Sequence, residues 1–491
     1  MKVSIDEIST FCKKKGYIFP TAEIYGGLQG FYDYGPLGVE LKNNLKKLLW
    51  KDFVQDNDFI LGIEGSLITN PKVWIASEHV DKFVDIMSKC KKCGTSSRAD
   101  ALIEEKLGID VEGKPVKELK EILKKNDIKC PTCGTKLEDC SAFHLMFETF
   151  IGPEHTEENK GYLRPETAQL IFADFKTVFQ TSRIKMPFGI AQVGKAFRNE
   201  ISPRNFLFRL REFEQFEIEF FTNPKKINDC PLYDGIKNKT VNLADKSEFI
   251  KHKIDDLVKK GIFGSKWHAY WVYQFYSWFV KYGICEDNLR LMPHSKEKLA
   301  HYAKACIDIE YRFPFGWKEL HGNADRGQFD LSQHAKASKD NLEVFDEANN
   351  EKVLPYVASE PSQGIERALL IFLFEAYNDD KERGNIVLKL HPKLAPITVA
   401  VFPLVKKDNI DIKAKEIYTQ LKKGFTAFYD ESGSIGRRYA RQDEIGTPFC
   451  ITIDYDSLKD ESVTIRDRDT TKQERIKISK LDEYIRKKIS A

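Results

Sequence analysis

Apolar residues recur at three- and four-residue spacing through VELKNNLKKLLWKDFV (39–54), the pattern of a helix with one face turned to a core, and Pro36 and Gly38 punctuate its start. FRLREFEQFEIEFF (208–221) alternates instead, which predicts a strand. VKELKEILKKN (116–126) reads as a charged helical segment. WHAYWVYQFYSWFV (267–280) is dense in aromatic rings. Base stacking would use such rings, but packing of a buried helix is the reading preferred here. Beyond HPKLAPITVAVFPL (391–404) the chain alternates between strand (ITVAVFPL), helix (IDIKAKEIYTQLKKG), strand (FTAFYD), helix (GSIGRRYARQDEIG) and strand (FCITID). That order predicts a compact α/β domain.

With 491 residues and 42% hydrophobic content the chain has material for about two to four domains rather than one. Changes of pattern divide it at 1–85, 86–145, 146–225, 226–305, 306–390 and 391–491. Segments 86–145 and 226–305 look inserted into the strand-rich remainder. The balance of 77 basic against 74 acidic residues leaves a formal charge of +3, which neither demands nor excludes a nucleic-acid partner, since one basic face suffices. No segment approaches the roughly 20 apolar residues of a membrane span, and the N-terminal stretch lacks a signal-peptide run. A cytoplasmic location without membrane contact is therefore expected.

Four of the ten cysteines fall in two knuckles, KCKKCG (89–94) and KCPTCG (129–134). Each CxxCG turn aims two thiolates at one point, so Cys90, Cys93, Cys130 and Cys133 together suit tetrahedral Zn²⁺; a metal-free remnant is the alternative. Cys12, Cys140, Cys230, Cys285, Cys306 and Cys450 have no framework spacing, which fits a reducing compartment, and Cys140 is expected to be a buried or spare thiol. His155, His321 and His334 have no nucleophile paired with them and read as packing or substrate-contact residues.

The most informative stretch is GKAFRNEISPRNFLFRLREFEQFEIEFF (194–221). Two strand-like halves, holding Arg198 and Glu200 and then Glu217 and Glu219, flank a loop with Arg204, Arg209 and Arg211. Guanidinium groups fork to phosphate and carboxylates hold amines or metals, so such a surface can bind a nucleotide and an amino acid together. A solvated hairpin of paired charges is the alternative.

FRNE, an Arg-rich loop and REFEQFEIEFF in this order resemble motif 2 of the class II aminoacyl-tRNA synthetases, and within that class the glycyl-tRNA synthetases. GPLGVELKNNLKKLLW resembles motif 1, and RPETAQ (164–169), FPFGWKELHGNADRGQFDLSQH (313–334) and EPSQGIERALL (360–370) follow in the family's order. The resemblance implies an α+β fold: a catalytic domain with an antiparallel sheet flanked by helices (1–85, 146–225, 306–390), an inserted zinc-ribbon-like module (86–145), and a C-terminal α/β anticodon-binding domain (391–491). No GxxxxGKS/T phosphate loop is expected or found.

The resemblance also implies glycine activation with ATP and Mg²⁺, then transfer to the 3′ end of tRNA(Gly). Arg198, Arg367 and Glu319 are the catalytic candidates. Arg198 matches the α-phosphate arginine, Arg209 the γ-phosphate arginine and Glu319 the Mg²⁺ carboxylate, while Phe213 and Arg367 match the residues that sandwich adenine and Glu200 its amino-group contact. Asn199, Phe208, Leu210, Arg211, Glu212, Leu320, Gly364, Ile365 and Glu366 complete the implied ATP set. For glycine the family implies an acidic ammonium pocket of Glu166, Glu217 and Glu360, with Ser362 crowding Cα and Arg98 adding a contact. Phe213, Glu214, Gln215, Phe216, Pro361, Gln363 and Gly364 border them. Arg437, Arg438 and Arg441 would face tRNA or solvent. A homodimer is implied, with the apolar stripe of motif 1 buried between subunits. Two rivals stay open: a synthetase of another specificity, and a synthetase-like protein without catalysis that only binds nucleic acid.

Overall fold

The computed structural model describes residues 3–109, 111, 114–295 and 303–490. Part of the 226–305 insertion, 296–302, lies outside the described residues. A nine-stranded sheet forms the centre, in the order Glu248–Lys253, Thr240–Asp245, Leu289–Pro293, Ala305–Phe313, Gly316–Asp325, Tyr356–Gly364, Glu212–Thr222, Phe188–Phe197 and Ile60–Gly62. Its neighbours are antiparallel except for two pairings, Thr240–Asp245 with Leu289–Pro293 and Ile60–Gly62 with Phe188–Phe197. Period-two alternation along Glu212–Thr222 sends Phe216, Ile218 and Phe220 into the main core and Phe213, Gln215, Glu217 and Glu219 to the opposite face.

The amphipathic segment is the helix Pro36–Trp50, with Pro36 in its first turn, and it runs on into a π-helical turn, Lys51–Gln55. A Cβ on Gly38 would lie 1.8 Å from the Tyr17 carbonyl oxygen, so only glycine lets the helix start against the backbone at Tyr17. The apolar stripe of this helix corrects one expectation. Leu41, Leu45, Leu48 and Leu49 are buried in the chain's own core beside Phe216, Phe275 and Leu369, so they are not held in reserve for another subunit. Each such side chain contributes about 1.5–3 kcal/mol of transfer free energy. Four exposed apolar residues lie just before and on the outer face of this helix: Ile24, Tyr25, Leu28 and Val39.

The aromatic run forms the helix Lys266–Lys281, whose Trp267, Trp271, Phe275, Trp278 and Phe279 lie in the main core; Phe275 stacks on Phe53 and on the His321 ring. Between Val84 and His144 a three-stranded sheet and the helices Ala99–Leu107 and Val116–Lys125 enclose a small core of their own.

The C-terminal sheet has the order Ala427–Tyr429, Val399–Pro403, Phe449–Ile453, Ser462–Asp467, Gln473–Lys477. Its first three strands are parallel, and the last two, with the helix Leu481–Ser490, extend the expected α/β pattern. Arg438, expected to face tRNA or solvent, is buried and donates to the carbonyls of Gly433 and Pro403. Its neighbours Arg437 and Arg441 are exposed, one helical turn being enough to separate the two environments. No helix among the described residues is long and apolar enough to cross a membrane.

Candidate active site

Two adjoining clusters occupy the free face of the sheet, and the hairpin of Phe188–Phe197 and Glu212–Thr222 supplies part of each. Register pairs Phe213 with Ala196 and Glu217 with Gln192. Arg198 and Glu200 sit just past the end of the first strand, not within it, where Arg198 N–H donates to the Arg211 carbonyl at 2.9 Å. That position swings the Arg198 guanidinium between the Phe83 and Phe213 rings, 5.4 Å from each centroid, with Nε donating to the Pro165 carbonyl at 3.0 Å.

The first cluster surrounds a cavity of about 280 Å³ lined by Arg198, Glu200, Phe208, Arg209, Leu210, Phe213, Gln215, Glu319, Leu320, Ser362, Gly364, Glu366 and Arg367, with Leu207. Two of its arginines are paired with two of its carboxylates. Arg367 donates to Glu319 at 3.1 Å and lies over the Phe208 ring, and Arg209 Nε donates to Glu200 at 2.6 Å. The Arg367 charge holds the Glu319 carboxyl below the usual carboxylate range, against the effect of burial. Asp85 stands between Arg209 and Arg98, 3.5 Å from each, so Arg98 reaches this cluster's edge through a shared carboxylate while its own fork is taken up by Asp100.

The second cluster lies deeper. Glu217 accepts from Thr167 N–H at 3.0 Å, from Gln215 at 3.0 Å and from the Ser362 hydroxyl at 2.7 Å. Glu166 meets His79 at 3.3 Å, and Glu360 takes Arg326 at 2.6 Å, a guanidinium that also forks to Asp330. Burial raises the Glu166 carboxyl, but the His79, Arg326 and Arg198 charges prevail and hold it well below its ordinary range. For Glu360, burial and the neighbouring Glu217 and Glu166 charges outweigh Arg326 and push it up to about 8. Glu217 is raised by burial and by Glu166. Behind them the Glu219 carboxyl is fully buried, neither oxygen having a hydrogen-bond partner among the described residues, and it is raised well above the ordinary value by burial and Glu360. Burial and mutual repulsion thus raise Glu217, Glu219 and Glu360, a strain that a cation placed among them relieves.

Other residues marked in the sequence lie elsewhere. Glu212 and Glu214 point to the opposite face, pairing with Lys195 and with Lys42 and Lys46, and Phe216 and Ile365 are in the core. Glu366 lines the cavity, but its carboxylate takes Lys42 and the Glu214 N–H. Asn199 N–H donates to the Leu145 carbonyl, Arg211 to the carbonyls of Glu200 and Gln29, and Gln363 to that of Leu320; Pro361 is a buried strand residue facing Asn323. His155 stacks on Phe150 and His334 hydrogen-bonds Gln169, both packing roles. Sequence reasoning missed His79, Asp85, Thr167 and Arg326. Arg326 and Thr167 lie inside marked motifs and so carried a signal, whereas His79 and Asp85 carried none.

At the knuckles, Cys90 and Cys133 sulfurs are 3.5 Å apart and Cys93 and Cys130 3.6 Å, with all four within 4.8 Å of one another. Gly94 and Gly134 follow each pair with φ of 74° and 71°, the left-handed turn that closes a knuckle. Four convergent thiols fit one tetrahedral Zn²⁺. Cys140 is buried, outside the cluster, its sulfur 3.7 Å from the Val116 carbonyl oxygen.

An anticodon binding domain family matches residues 398–488. Over 497 aligned positions the chain is 46% identical to the glycine–tRNA ligase of Caldanaerobacter subterraneus subsp. tengcongensis, covering 100% of this chain and 99% of that one. It is also 46% identical to the glycine–tRNA ligases of Clostridium beijerinckii, over 98% of each chain, and Acetivibrio thermocellus, over 99% of this chain and 98% of that one.

Proposed function

We infer the reaction course from one premise: the chain belongs to the glycine–tRNA ligase family. It is an aminoacyl-tRNA ligase that activates glycine with ATP and transfers it to tRNA, with an anticodon-binding domain at its C-terminus. The observation that carries the residue-level reading is that a cavity with phosphate-type guanidiniums and a carboxyl-rich pocket share one sheet face and meet at Ser362 and Gln215.

In this reading the glycine carboxylate attacks the α-phosphorus of ATP, pyrophosphate leaves, and a ribose hydroxyl of the tRNA 3′ end then attacks the glycyl carbonyl and expels AMP. Neither step needs a protein nucleophile, so positioning and charge neutralisation carry the catalysis. Arg198 takes the α-phosphate. Arg209 turns from Glu200 to the γ-phosphate, which frees Glu200 for the adenine amino group. Arg367 turns from Glu319 to close over adenine against Phe213, which frees Glu319 as an oxygen ligand for Mg²⁺. That ion, when bound, neutralises phosphate charge. The ion pairs thus keep each partner next to its site. Glu166, Glu217 and Glu360 receive the ammonium group, Ser362 fills the space where a larger amino acid carries Cβ, and Arg98 acts from the rim through Asp85.

Cys90, Cys93, Cys130 and Cys133 hold a structural Zn²⁺ in a module inserted at 86–145, and 226–305 is a second insertion into the catalytic domain. Exposed Arg437 and Arg441 suit phosphate contact with tRNA(Gly). The subunits pair as a homodimer through the exposed surface of Ile24, Tyr25, Leu28 and Val39. Sedimentation is expected to give a dimer, and a fully active monomer removes that part of the reading. The compartment assigned is the cytoplasm. ATP/pyrophosphate exchange with glycine, serine and alanine side by side tests the whole reading: exchange confined to glycine supports it, and exchange led by another amino acid or by none defeats it.

A further inference from the structure

We propose that His294, Cys306 and Asp308 form a second metal site, separate from the four-cysteine module, for a borderline divalent ion of the zinc class. The strand Ala305–Phe313 alternates, so Cys306 and Asp308 share one face while Ile307 and Ile309 are fully buried on the other. The strand Leu289–Pro293 ends opposite Ile307, and the His294 N–H then donates to the Cys306 carbonyl at 3.0 Å, which fixes the imidazole over the same face. The result is one nitrogen, one sulfur and one oxygen donor, all within 4.8 Å of one another. His294 Nε2 is 2.8 Å from Asp308 Oδ2, and the Cys306 sulfur is 4.0 Å from Asp308 Oδ1.

Donors around tetrahedral zinc stand roughly 3.3–3.8 Å apart, and small rotations of the Cys306 and Asp308 side chains supply the difference. A histidine–aspartate pair needs no thiol beside it, and a half-buried thiol needs no imidazole; their convergence on one point is what distinguishes the arrangement from a plain ion pair. Two further features favour a cation. The Glu319 carboxylate adds negative charge near the thiol. The residue opposite Asp308 on the next strand is Gly322, where a Cβ would lie 3.8 Å from Asp308 Oδ1 and 3.9 Å from Glu319 Oε1, so no side chain covers the ground between those carboxylates. Three protein donors leave a fourth position for water or a ligand, on the side of Glu319. The inference rests on these contacts and not on the reaction assigned above.

The test is metal analysis of the full chain, purified without chelator and equilibrated with a small excess of Zn²⁺ before free metal is removed. Wild type is expected to hold about one more zinc per chain than Cys306→Ser and than His294→Ala, whatever the four-cysteine module retains. With Co²⁺ in place of Zn²⁺, subtracting the Cys306→Ser spectrum from that of wild type is expected to leave a single-thiolate charge-transfer band. A thermal unfolding scan shows which variants fold, and Asp308→Asn is a third if either fails. Equal zinc content in wild type and every folded variant overturns the site, as does a cobalt difference spectrum without that band.

Discussion

The Ser362 hydroxyl donates to Glu217 across the sheet over 2.7 Å, while Ser362 stands opposite Gly322 on its other side. One small residue therefore holds a pocket carboxylate in place and fills space beside it. The two roles separate by substitution. Ser362→Gly removes the bulk and is expected to admit alanine, the barrier of a methyl-sized difference being about 1–3 kcal/mol. Ser362→Ala keeps the bulk and loses only the hydrogen bond, so it is expected to weaken glycine use without admitting alanine. Exchange assays on the pair decide, and equal alanine activity in both removes Ser362 as the steric gate.

Arg198→Ala is expected to lose adenylate formation by on the order of 3 kcal/mol or more in activation free energy, as other preorganised donors do. The fold is expected to survive, because Arg198 is only partly buried and its side chain donates to a loop carbonyl, that of Pro165, while its backbone hydrogen bond to Arg211 is kept by alanine. Near-normal exchange by the variant would remove this residue from the phosphate site.

Glycine binding is expected to strengthen as pH rises toward 8. The Glu360 carboxyl, raised to about 8 from the ordinary 4.5, keeps its proton in the ligand-free enzyme at neutral pH, while the glycine ammonium needs the ionised form. The sign for stability is opposite: the folded state binds this proton more tightly than the unfolded chain, so the contribution is full below 4.5 and is lost as pH climbs to 8. The glycine KM is expected to fall on the order of tenfold between pH 6.5 and 8.5. Glu360→Gln should flatten that dependence; an unchanged profile in the variant assigns the titration to another group.

Removing the module's zinc is expected to loosen residues 86–145 and spare the catalytic core, because Cys90 and Cys130 belong to a small hydrophobic cluster of their own. Cys130→Ser should lose about one zinc per chain and gain protease sensitivity within the module. Undamaged wild-type protein with no metal at the knuckles would make them a relic.

Much of this site was legible along the chain because its main residues lie in contiguous stretches whose order is itself a signal. Arg198, Phe213 and Glu217 come from one hairpin, and Ser362 and Arg367 from one strand-to-helix turn. What sequence could not give was who neutralises whom. His79 reaches Glu166 from a short helix entered through a left-handed Glu78, and Asp85 gathers Arg98, from within the 86–145 insertion, and Arg209, from the hairpin loop far beyond it in the chain. Period alone also could not say which core would use an amphipathic stripe. The leucines of Pro36–Trp50 fit a subunit interface as well as they fit the chain's own interior, and only the packing decides.

The claim that the carboxyl-rich pocket is the glycine ammonium site is tested most directly by steady-state exchange kinetics of Glu217→Gln, with glycine and ATP varied in turn. Glu217 hydrogen-bonds Thr167, Gln215 and Ser362 and, among the described residues, none of the guanidiniums assigned to phosphate. The account predicts that the glycine KM rises at least tenfold while the ATP KM stays within about twofold of wild type, a separation of more than 1 kcal/mol between the two ligands. Loss of ATP and glycine use to the same extent, or unchanged glycine kinetics, would contradict it.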